Sequence, residues 1–323
     1  MGKLSKATAI GAVLWVLCLA LPAFLSSAWV SIAAIFAIYA IVALSQDVVL
    51  GRAGMYDMGH AVYFGIGAYA TGILNVEFGW PILATLPVAI VAAAIVGAVF
   101  AAPIIRLRGD YLLVATIGLN AIFVLAMQNN LAGITGGSDG IPGLGVPSLF
   151  GLQIESQNGL FWFDWVFLGL VLLLMRNLDR CELGRALHYL KQDELASGTL
   201  GVDARKTKII AFALGAALAG LAGTLFAVQI STVSPSSFVF TESVTLFAIV
   251  IVGGQGSISG VLLGTVLMFV VPQIFRGFAD YRYFVFGIAM VAVMVLRPQG
   301  LWPRARLRAK AGARVSAGAG VSR

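Results

Sequence analysis

Long apolar segments separated by short polar ones run through almost the whole chain. A membrane-spanning helix needs about 20 predominantly apolar residues, and segments of that length or slightly less lie at 7–25, 29–46, 59–76, 81–104, 111–131, 161–175, 209–231, 240–252, 258–275 and 283–296. Some segments fall short of a full span, and glycines interrupt others. The pattern predicts an all-α polytopic membrane protein with about 8–10 transmembrane helices, including broken, glycine-rich segments.

The composition excludes a soluble protein. Of the 323 residues, 60% are hydrophobic and 11% are charged, whereas soluble domains contain about 45–50% apolar and about 25% charged residues. The first apolar segment follows Lys3 and Lys6, as a signal peptide would. Because no small-x-small cleavage site closes this segment and further spans follow at once, we expect it to be an uncleaved first span.

Basic residues fall almost entirely in alternate connecting segments. If the chain starts inside, 19 of the 21 Lys and Arg residues lie in inner segments, and the outer ones hold only Arg276 and Arg282. Cytoplasmic loops carry such an excess of Lys and Arg. The distribution predicts that both termini of this multi-pass protein are cytoplasmic. The inner segments are then 1–6, 47–58, 105–110, 176–208, 253–257 and 297–323.

The chain is predicted to form one transmembrane domain over residues 1–303. Two of its loops are long enough to have structure: an outer loop at 132–160 and a mixed-charge inner loop at 176–208. Residues 304–323 form a basic tail with little to bury, which predicts cytoplasmic disorder. Residues 297–323 carry a net charge that equals the whole chain's +7, so no basic surface for nucleic acid remains elsewhere.

The sequence lacks the common signatures of enzymes and cofactor sites. It contains no phosphate-binding P-loop, no H-E-x-x-H and no G-x-S-x-G motif. Its two histidines, His60 and His188, lie in distant segments, and Cys18 and Cys181 are not expected to pair. We therefore expect no enzymatic activity, no metal and no cofactor.

A glycine-rich segment at 51–69 places three ionisable residues beside apolar sequence: Arg52, Asp57 and His60. Charged groups at membrane depth usually face a cavity or a partner, and residues three apart share one face of a helix. One interpretation is a broken helix with Asp57 and His60 lining the substrate path. The other is an interfacial turn whose charges sit among lipid headgroups, with Gly65 and Gly67 allowing close helix packing.

Two polar residues of the 111–131 segment, Asn120 and Gln128, are further candidates for the path. A mid-span Asn120 equally suits a hydrogen bond to a neighbouring helix, and Gln128 lies near the outer end, where water reaches it. A second glycine-rich break at 253–264 predicts a tight turn with small-residue helix contacts. The breaks at 51–67 and 253–264 also suit equivalent points of two structural halves.

The inner loop contains an amphipathic pattern. Leu183, Leu187, Leu190 and Leu195 recur at helical spacing, which predicts a short helix along the cytoplasmic face. A helix bound to the membrane surface would be richer in basic residues. The mixed charges instead favour docking into a partner's groove.

These segments together resemble the permease subunits of branched-chain amino acid ABC importers, over about residues 51–303. The Gly59–Tyr69 segment is similar to that family's Gly-His-Ala-rich early segment. The later position of the run Thr135-Gly-Gly-Ser-Asp-Gly points to the second, LivM-like permease of the pair. The other matching runs are Arg106-Leu-Arg-Gly-Asp-Tyr111, Thr135-Gly-Gly-Ser-Asp-Gly-Ile141, Gly184-Arg-Ala-Leu187 with Asp193-Glu194 and Leu200-Gly201, Gly253-Gly-x-Gly-Ser257 and Arg297-Pro-Gln-Gly-Leu301.

The resemblance implies a multi-pass protein of the bacterial inner membrane. It also implies a complex that contains a second permease subunit, two cytoplasmic ATP-binding subunits and a periplasmic substrate-binding protein. It implies that the inner loop couples to the ATPase through Gly184, Arg185, Asp193, Glu194 and Gly201. It also implies branched-chain or related amino acids as substrates, although relatives are associated with urea, short amides and aromatic acids.

Two positions depart from the family. Asp57 stands where the family usually has a small polar residue. Residues 196–199 are poorer helix formers than the family's residues, which predicts that the coupling helix ends early.

Two other classes compete with the ABC permease. An ion-gradient-driven secondary transporter or channel would use Asp57, His60 and Glu242 as proton-coupling groups. An integral membrane enzyme would need polar groups clustered at one membrane face, and the sequence offers only scattered ones. The 33-residue mixed-charge inner loop favours the permease, because an ion-coupled carrier has no need for it.

Overall fold

The computed structural model describes residues 22, 26–105, 107, 110–149, 152–154, 156–199, 201–274, 287–288, 291 and 300–302. The predicted first span at 7–25, the 276–282 loop, Cys18 and the basic tail at 304–323 lie outside these residues, except for residue 22. So does most of the predicted last span at 283–296.

The described residues form a helical membrane protein, which confirms the predicted fold class. Six helices are long and apolar enough to cross a membrane, and two shorter apolar helices, Ala61–Val76 and Ile258–Gln273, accompany them. Eight of the ten predicted apolar segments thus form helices within the described part of the chain. The helices are α1 (Ser27–Asp47), α2 (Ala61–Val76), α3 (Ile82–Ile104), α4 (Asp110–Gln128), α5 (Gln157–Leu178), α6 (Glu182–Gln192), α7 (Glu194–Thr199), α8 (Ala204–Ile230), α9 (Phe240–Gly253), α10 (Ile258–Thr265) and α11 (Val271–Ile274).

Helix α8 lies at the centre of the bundle and packs against α1, α2 and α3. Small residues bring the backbones together: a Cβ on Gly67 would collide with the carbonyl oxygen of Gly220, and one on Gly223 would collide with that of Phe64. Membrane helices associate through such small-residue contacts, because lipid tails offer no hydrophobic driving force between them. The predicted packing role of Gly67 is confirmed.

The outer helices present apolar side chains away from the bundle. A span that faces lipid has no need of polar residues on that surface, and the exposed faces of α3 and α4 carry few. These exposed side chains are Val88, Val91, Ile95 and Val99 on α3, and Tyr111, Val114, Ile122 and Leu125 on α4.

The connecting segments gather at two ends of the bundle. At one, here called the glycine-loop end (129–154 and 231–238), two short strands pair antiparallel, Ile141–Pro142 (β1) with Thr232–Val233 (β4). Strands Ser148–Leu149 (β2) and Leu152–Gln153 (β3) form a second pair there. At the other, the basic end (47–54, 179–203 and 253–257), three segments predicted to be cytoplasmic contact one another.

Candidate functional site

The break between α1 and α2 places Asp57 and His60 together in a turn. Helix α1 continues as one π-helical stretch, Val48–Arg52, and α2 begins only at Ala61. His60 Nδ1 lies 3.0 Å from Asp57 Oδ2, and the Gly59 N–H donates to Asp57 Oδ1 at 2.8 Å. A shared helix face is therefore wrong for this pair, and the turn of the other interpretation is confirmed: the Asp57 carboxylate bonds the backbone of a non-helical turn.

This pair is fully enclosed by the chain. Asp57 and His60 are both 0% exposed. His60 Nε2 lies 2.8 Å from Ser45 Oγ, and Gln46 donates to the Asp57 carbonyl at 2.6 Å. Buried polar groups need such partners, because an unpaired one retains its full desolvation cost. The alternative of charges placed among lipid headgroups is also wrong, since no part of either side chain reaches the surface.

The other two path candidates lie elsewhere. Asn120 is 1% exposed and donates to the Phe238 carbonyl at 3.1 Å, which is the contact between helical elements expected under its structural interpretation. Gln128 is exposed at the last turn of α4. The turn contacts α4 instead at Thr116, whose Oγ1 accepts from the Met58 N–H at 3.0 Å. The structure therefore unites Asp57 with His60 but not with Asn120 or Gln128.

The inner loop forms two helices with a sharp break at Asp193. Its φ of −156° and ψ of 113° end α6, and its Oδ1 accepts from the Leu195 and Ala196 N–H groups at 2.9 and 3.0 Å. A side-chain oxygen that accepts first-turn amides is a helix N-cap. The predicted early end of the helix at 196–199 is wrong, because this cap starts α7 and residues 194–199 are helical.

Three of the four predicted stripe leucines pack inward. Leu187 and Leu190 are buried and Leu183 is half-buried, but Leu195 is 82% exposed. The break at Asp193 rotates Leu195 away from the stripe, so its predicted place there is wrong. Tyr189 is also 47% exposed. The loop thus buries Leu187 and Leu190 and leaves the large apolar side chains of Tyr189 and Leu195 exposed.

The predicted coupling residues occupy distinct positions around these helices. A Cβ on Gly184 would collide with the Leu178 carbonyl oxygen. Arg185 is exposed and donates to the Arg180 carbonyl at 3.0 Å. Glu194 Oε1 binds Lys208 Nζ at 2.8 Å, which ties α7 to α8. Gly201 has a φ of +81° in the turn before α8.

A buried ion network at the basic end was not found from the sequence. Arg52 is 4% exposed; its Nη1 lies 2.5 Å from Asp47 Oδ2 and its Nε lies 3.0 Å from Asp179 Oδ1. Asp47 also accepts from the Gly256 N–H at 2.7 Å. The one available signal was that these charges border apolar segments, where they are expensive unless paired.

Lys191, near the end of α6, joins the same region. Its Nζ donates to the Gly51 carbonyl at 2.7 Å and to Gln255 Oε1 at 3.0 Å. Burial lowers the pKa of Lys191, and the negative charge of Asp47 partly opposes that shift. Residues from α1, α6 and the glycine segment 254–257 thus meet at one ammonium group.

Within the ranges that the structure describes, no group of three or more His, Cys, Asp or Glu side chains is placed to hold a metal ion. Cys181 is a free thiol at the surface.

Comparison with known proteins identifies relatives across nearly the whole chain. The sequence pattern of a family described as "Branched-chain amino acid transport system / permease component" matches residues 28–294. The chain is 38% identical over 325 residues to the high-affinity branched-chain amino acid transport system permease protein LivM of Escherichia coli, covering 93% of this chain and 76% of that protein. No solved structure matches.

More distant relatives carry related names. The probable branched-chain amino acid transport permease protein LivM of Methanocaldococcus jannaschii is 28% identical, over 83% of this chain and 91% of that protein. The E. coli permease protein LivH is 24% identical, over 82% of this chain and 91% of that protein.

Proposed function

Because the chain belongs to the permease family of branched-chain amino acid transport systems, we propose that it is one of two paired permease subunits of an ATP-driven importer. Its relatives are transport permeases rather than enzymes, and it is a multi-pass protein of the inner membrane. We assign it branched-chain or related amino acids as substrates. ATP hydrolysis on a partner subunit would drive the substrate across.

The second permease follows from the relatives. Both LivM and LivH are permease proteins of branched-chain amino acid transport, and this chain is more similar to LivM (38%) than to LivH (24%). We therefore assign it the LivM-like position and a LivH-like protein as its partner. Two cytoplasmic ATP-binding subunits and a periplasmic substrate-binding protein would complete the assembly.

The inner loop is the observation that carries ATP coupling. Its helices are anchored through buried Leu187 and Leu190, while Tyr189, Leu195 and Arg185 are exposed. Large exposed apolar groups with mixed charges suit insertion of a helix into a partner's groove. The ATP-binding subunit would dock here through Gly184, Arg185, Asp193, Glu194 and Gly201. The glycine-loop end would face the binding protein.

The path assignment of Asp57, His60, Asn120 and Gln128 stays a prediction. The first three are at most 1% exposed and bond within the chain, so a path role requires a conformation in which these contacts open. We assign the permease unit to residues 1–303, with the basic tail at 304–323.

An ion-driven carrier is the second candidate, and one observation favours it. The Asp57–His60 pair lies inside the bundle, and Glu242 directly precedes Ser243, whose hydroxyl accepts from the Ala61 N–H next to His60. Such intramembrane acid and base groups are typical of proton relays. That carrier would need neither an ATPase nor the exposed surface of α6 and α7.

A mild-detergent purification of the tagged chain from its native membrane, followed by mass spectrometry, tests the proposal. We expect a P-loop ATPase and a second permease to co-purify. The Leu195→Glu variant should lose the ATPase but keep the permease. Leu131→Glu is the matched control, because Leu131 is an exposed leucine at the glycine-loop end. Purification without any ATPase, under conditions that keep known ABC complexes intact, would refute the proposal.

A further inference from the structure

The turn between α5 and α6 and the far end of α6 both bind the end of α1, and Asp179 in this turn caps the C-terminus of α5. Asp179, three residues before α6 begins, binds the Arg52 guanidinium through two contacts, Nε–Oδ1 at 3.0 Å and Nη2–Oδ2 at 3.4 Å. At the other end of α6, Lys191 Nζ donates to the carbonyl of Gly51, the residue before Arg52. Two attachments, twelve residues apart in sequence, thus reach adjacent residues of α1.

The attachment extends from α1 to the glycine segment before α10. Asp47 accepts from Arg52 and from the Gly256 N–H, and Lys191 binds Gln255. A Cβ on Gly51 would collide with the Asp47 carboxylate and lie 2.6 Å from the Gly256 nitrogen. The close approach of these two glycine-rich breaks therefore requires glycine at position 51.

The ion pairs of Arg52 have a fixed orientation, and the pair with Asp47 is buried from solvent. Arg52 and Asp47 have side-chain exposures of 2% and 0%. A two-contact guanidinium–carboxylate pair fixes orientation as well as distance. Separating such groups would leave buried charges without partners, which is strongly unfavourable. A displacement of α6 should thus carry the end of α1 and residues 254–257 with it.

The geometry points to Arg52 and Lys191 as the mechanical link between the coupling helix and the two broken spans: through Asp179, Asp47, Gly51 and Gln255 they make α6, the end of α1 and the 254–257 segment move as one unit. The inference rests on the proposed function, because it assigns the route by which ATPase motion enters the membrane. The turn that holds Asp57 and His60 follows directly on this unit, so its motion reaches the centre of the bundle. Arg52 and Lys191 are positioning residues in this account.

Lys191→Met removes the contact of α6 with Gly51, and Asp179→Asn removes the negative charge that pairs with Arg52 at the α5–α6 turn. Methionine keeps much of the apolar stem of Lys191 but removes its charge and both hydrogen bonds. Lys206→Met is the matched control, because Lys206 belongs to the same loop, has a side chain that is 82% exposed and pairs only at the surface with Asp203. Lys191→Arg restores a permanent cation at the same position.

The measurement is the amount of leucine taken up per ATP hydrolysed, in proteoliposomes that contain the complex purified with its ATPase and binding protein. We expect Lys191→Met and Asp179→Asn to retain the ATPase and hydrolyse ATP, while uptake per ATP falls about tenfold or more. Lys206→Met should match the parent, and Lys191→Arg should recover most of the coupling. A purely structural role would instead lower assembly or both activities in proportion.

The link would be overturned if the Lys191→Met complex is intact and takes up as much leucine per ATP as the Lys206→Met complex. If Lys191→Met does not assemble, Asp179→Asn decides in the same way. These results are separable from a failure of the proposed function, in which the parent chain itself would co-purify with no ATPase or show no ATP-dependent uptake.

Discussion

Replacement of Arg52 by methionine tests whether the buried ion network stabilises the fold. Arg52 lies between Asp47, whose side chain is 0% exposed, and Asp179, whose side chain is 23% exposed. Methionine fills part of the same volume but leaves a buried carboxylate with only the Gly256 N–H among its closest partners. Removing one member of a buried ion pair costs about 3–5 kcal/mol.

The matched substitution Lys206→Met removes a surface ion pair of 3.6 Å. Such pairs contribute about 0–1 kcal/mol, so the two variants should differ clearly. One kcal/mol shifts the melting temperature by roughly 2–4 °C in domains of 150–250 residues. Arg52→Met should therefore melt roughly 6 °C or more below the parent in detergent, as followed by tryptophan fluorescence.

A compensating change identifies the cause of that loss. Asp47→Asn added to Arg52→Met removes the buried charge that has lost its partner, so the double variant should melt above Arg52→Met alone. Equal melting temperatures for Arg52→Met, Lys206→Met and the parent would refute the reasoning. The reasoning would also be refuted if the double variant's loss in melting temperature equals the sum of the losses of the two single variants.

Three further predictions follow from particular contacts. Gly67→Val should cost about 1–3 kcal/mol, seen as a lower melting temperature, because its Cβ meets the Gly220 backbone, whereas Gly118→Val has no atom within 4 Å and should be neutral. Asp193→Ala removes the α7 cap, so hydrogen exchange at the Leu195 and Ala196 amides should become faster. Asp193→Ser should restore the protection of both amides. Unchanged exchange in Asp193→Ala would contradict the cap. Burial lowers the pKa of Lys191, so its positive charge is lost as pH rises through that lowered pKa. Uptake per ATP should therefore fall at alkaline pH in the parent but not in Lys191→Arg, whose cation is permanent. Identical pH profiles for the two proteins would contradict this.

The sequence was sufficient for the elements whose cause is local. Apolar length predicted the spans because a membrane imposes one length on every helix that crosses it, and 29–46 and 81–104 match α1 and α3 within two residues. The alternation of basic segments predicted that 47–58, 176–208 and 253–257 lie on one side, and in the described part of the chain these three segments contact one another. Leu187 and Leu190 pack as their helical spacing predicts.

The features that the sequence did not reveal depend on contacts between distant segments. Arg52 and Asp179 are 127 residues apart, and Lys191 and Gly51 are 140 apart, so no local pattern indicates that they pair. The sequence left open whether Asp57 and His60 share a helix face or lie in a turn, and the hydrogen bond that the Gly59 N–H donates to Asp57 selects the turn. Leu195 does not lie with the other stripe leucines because Asp193 caps a new helix. Intrinsic helix propensities do not include such a hydrogen bond between a side chain and the backbone.

The most direct test of the central claim is leucine uptake into proteoliposomes that hold the purified complex, without any ion gradient. ATP is supplied on the side of α6 and α7, and leucine with its binding protein is supplied on the other side. An ATP-driven permease predicts uptake that requires ATP and persists when ionophores abolish every ion gradient. Uptake that ignores ATP and appears only with an imposed proton gradient would contradict the account and make Asp57 and His60 the transport groups.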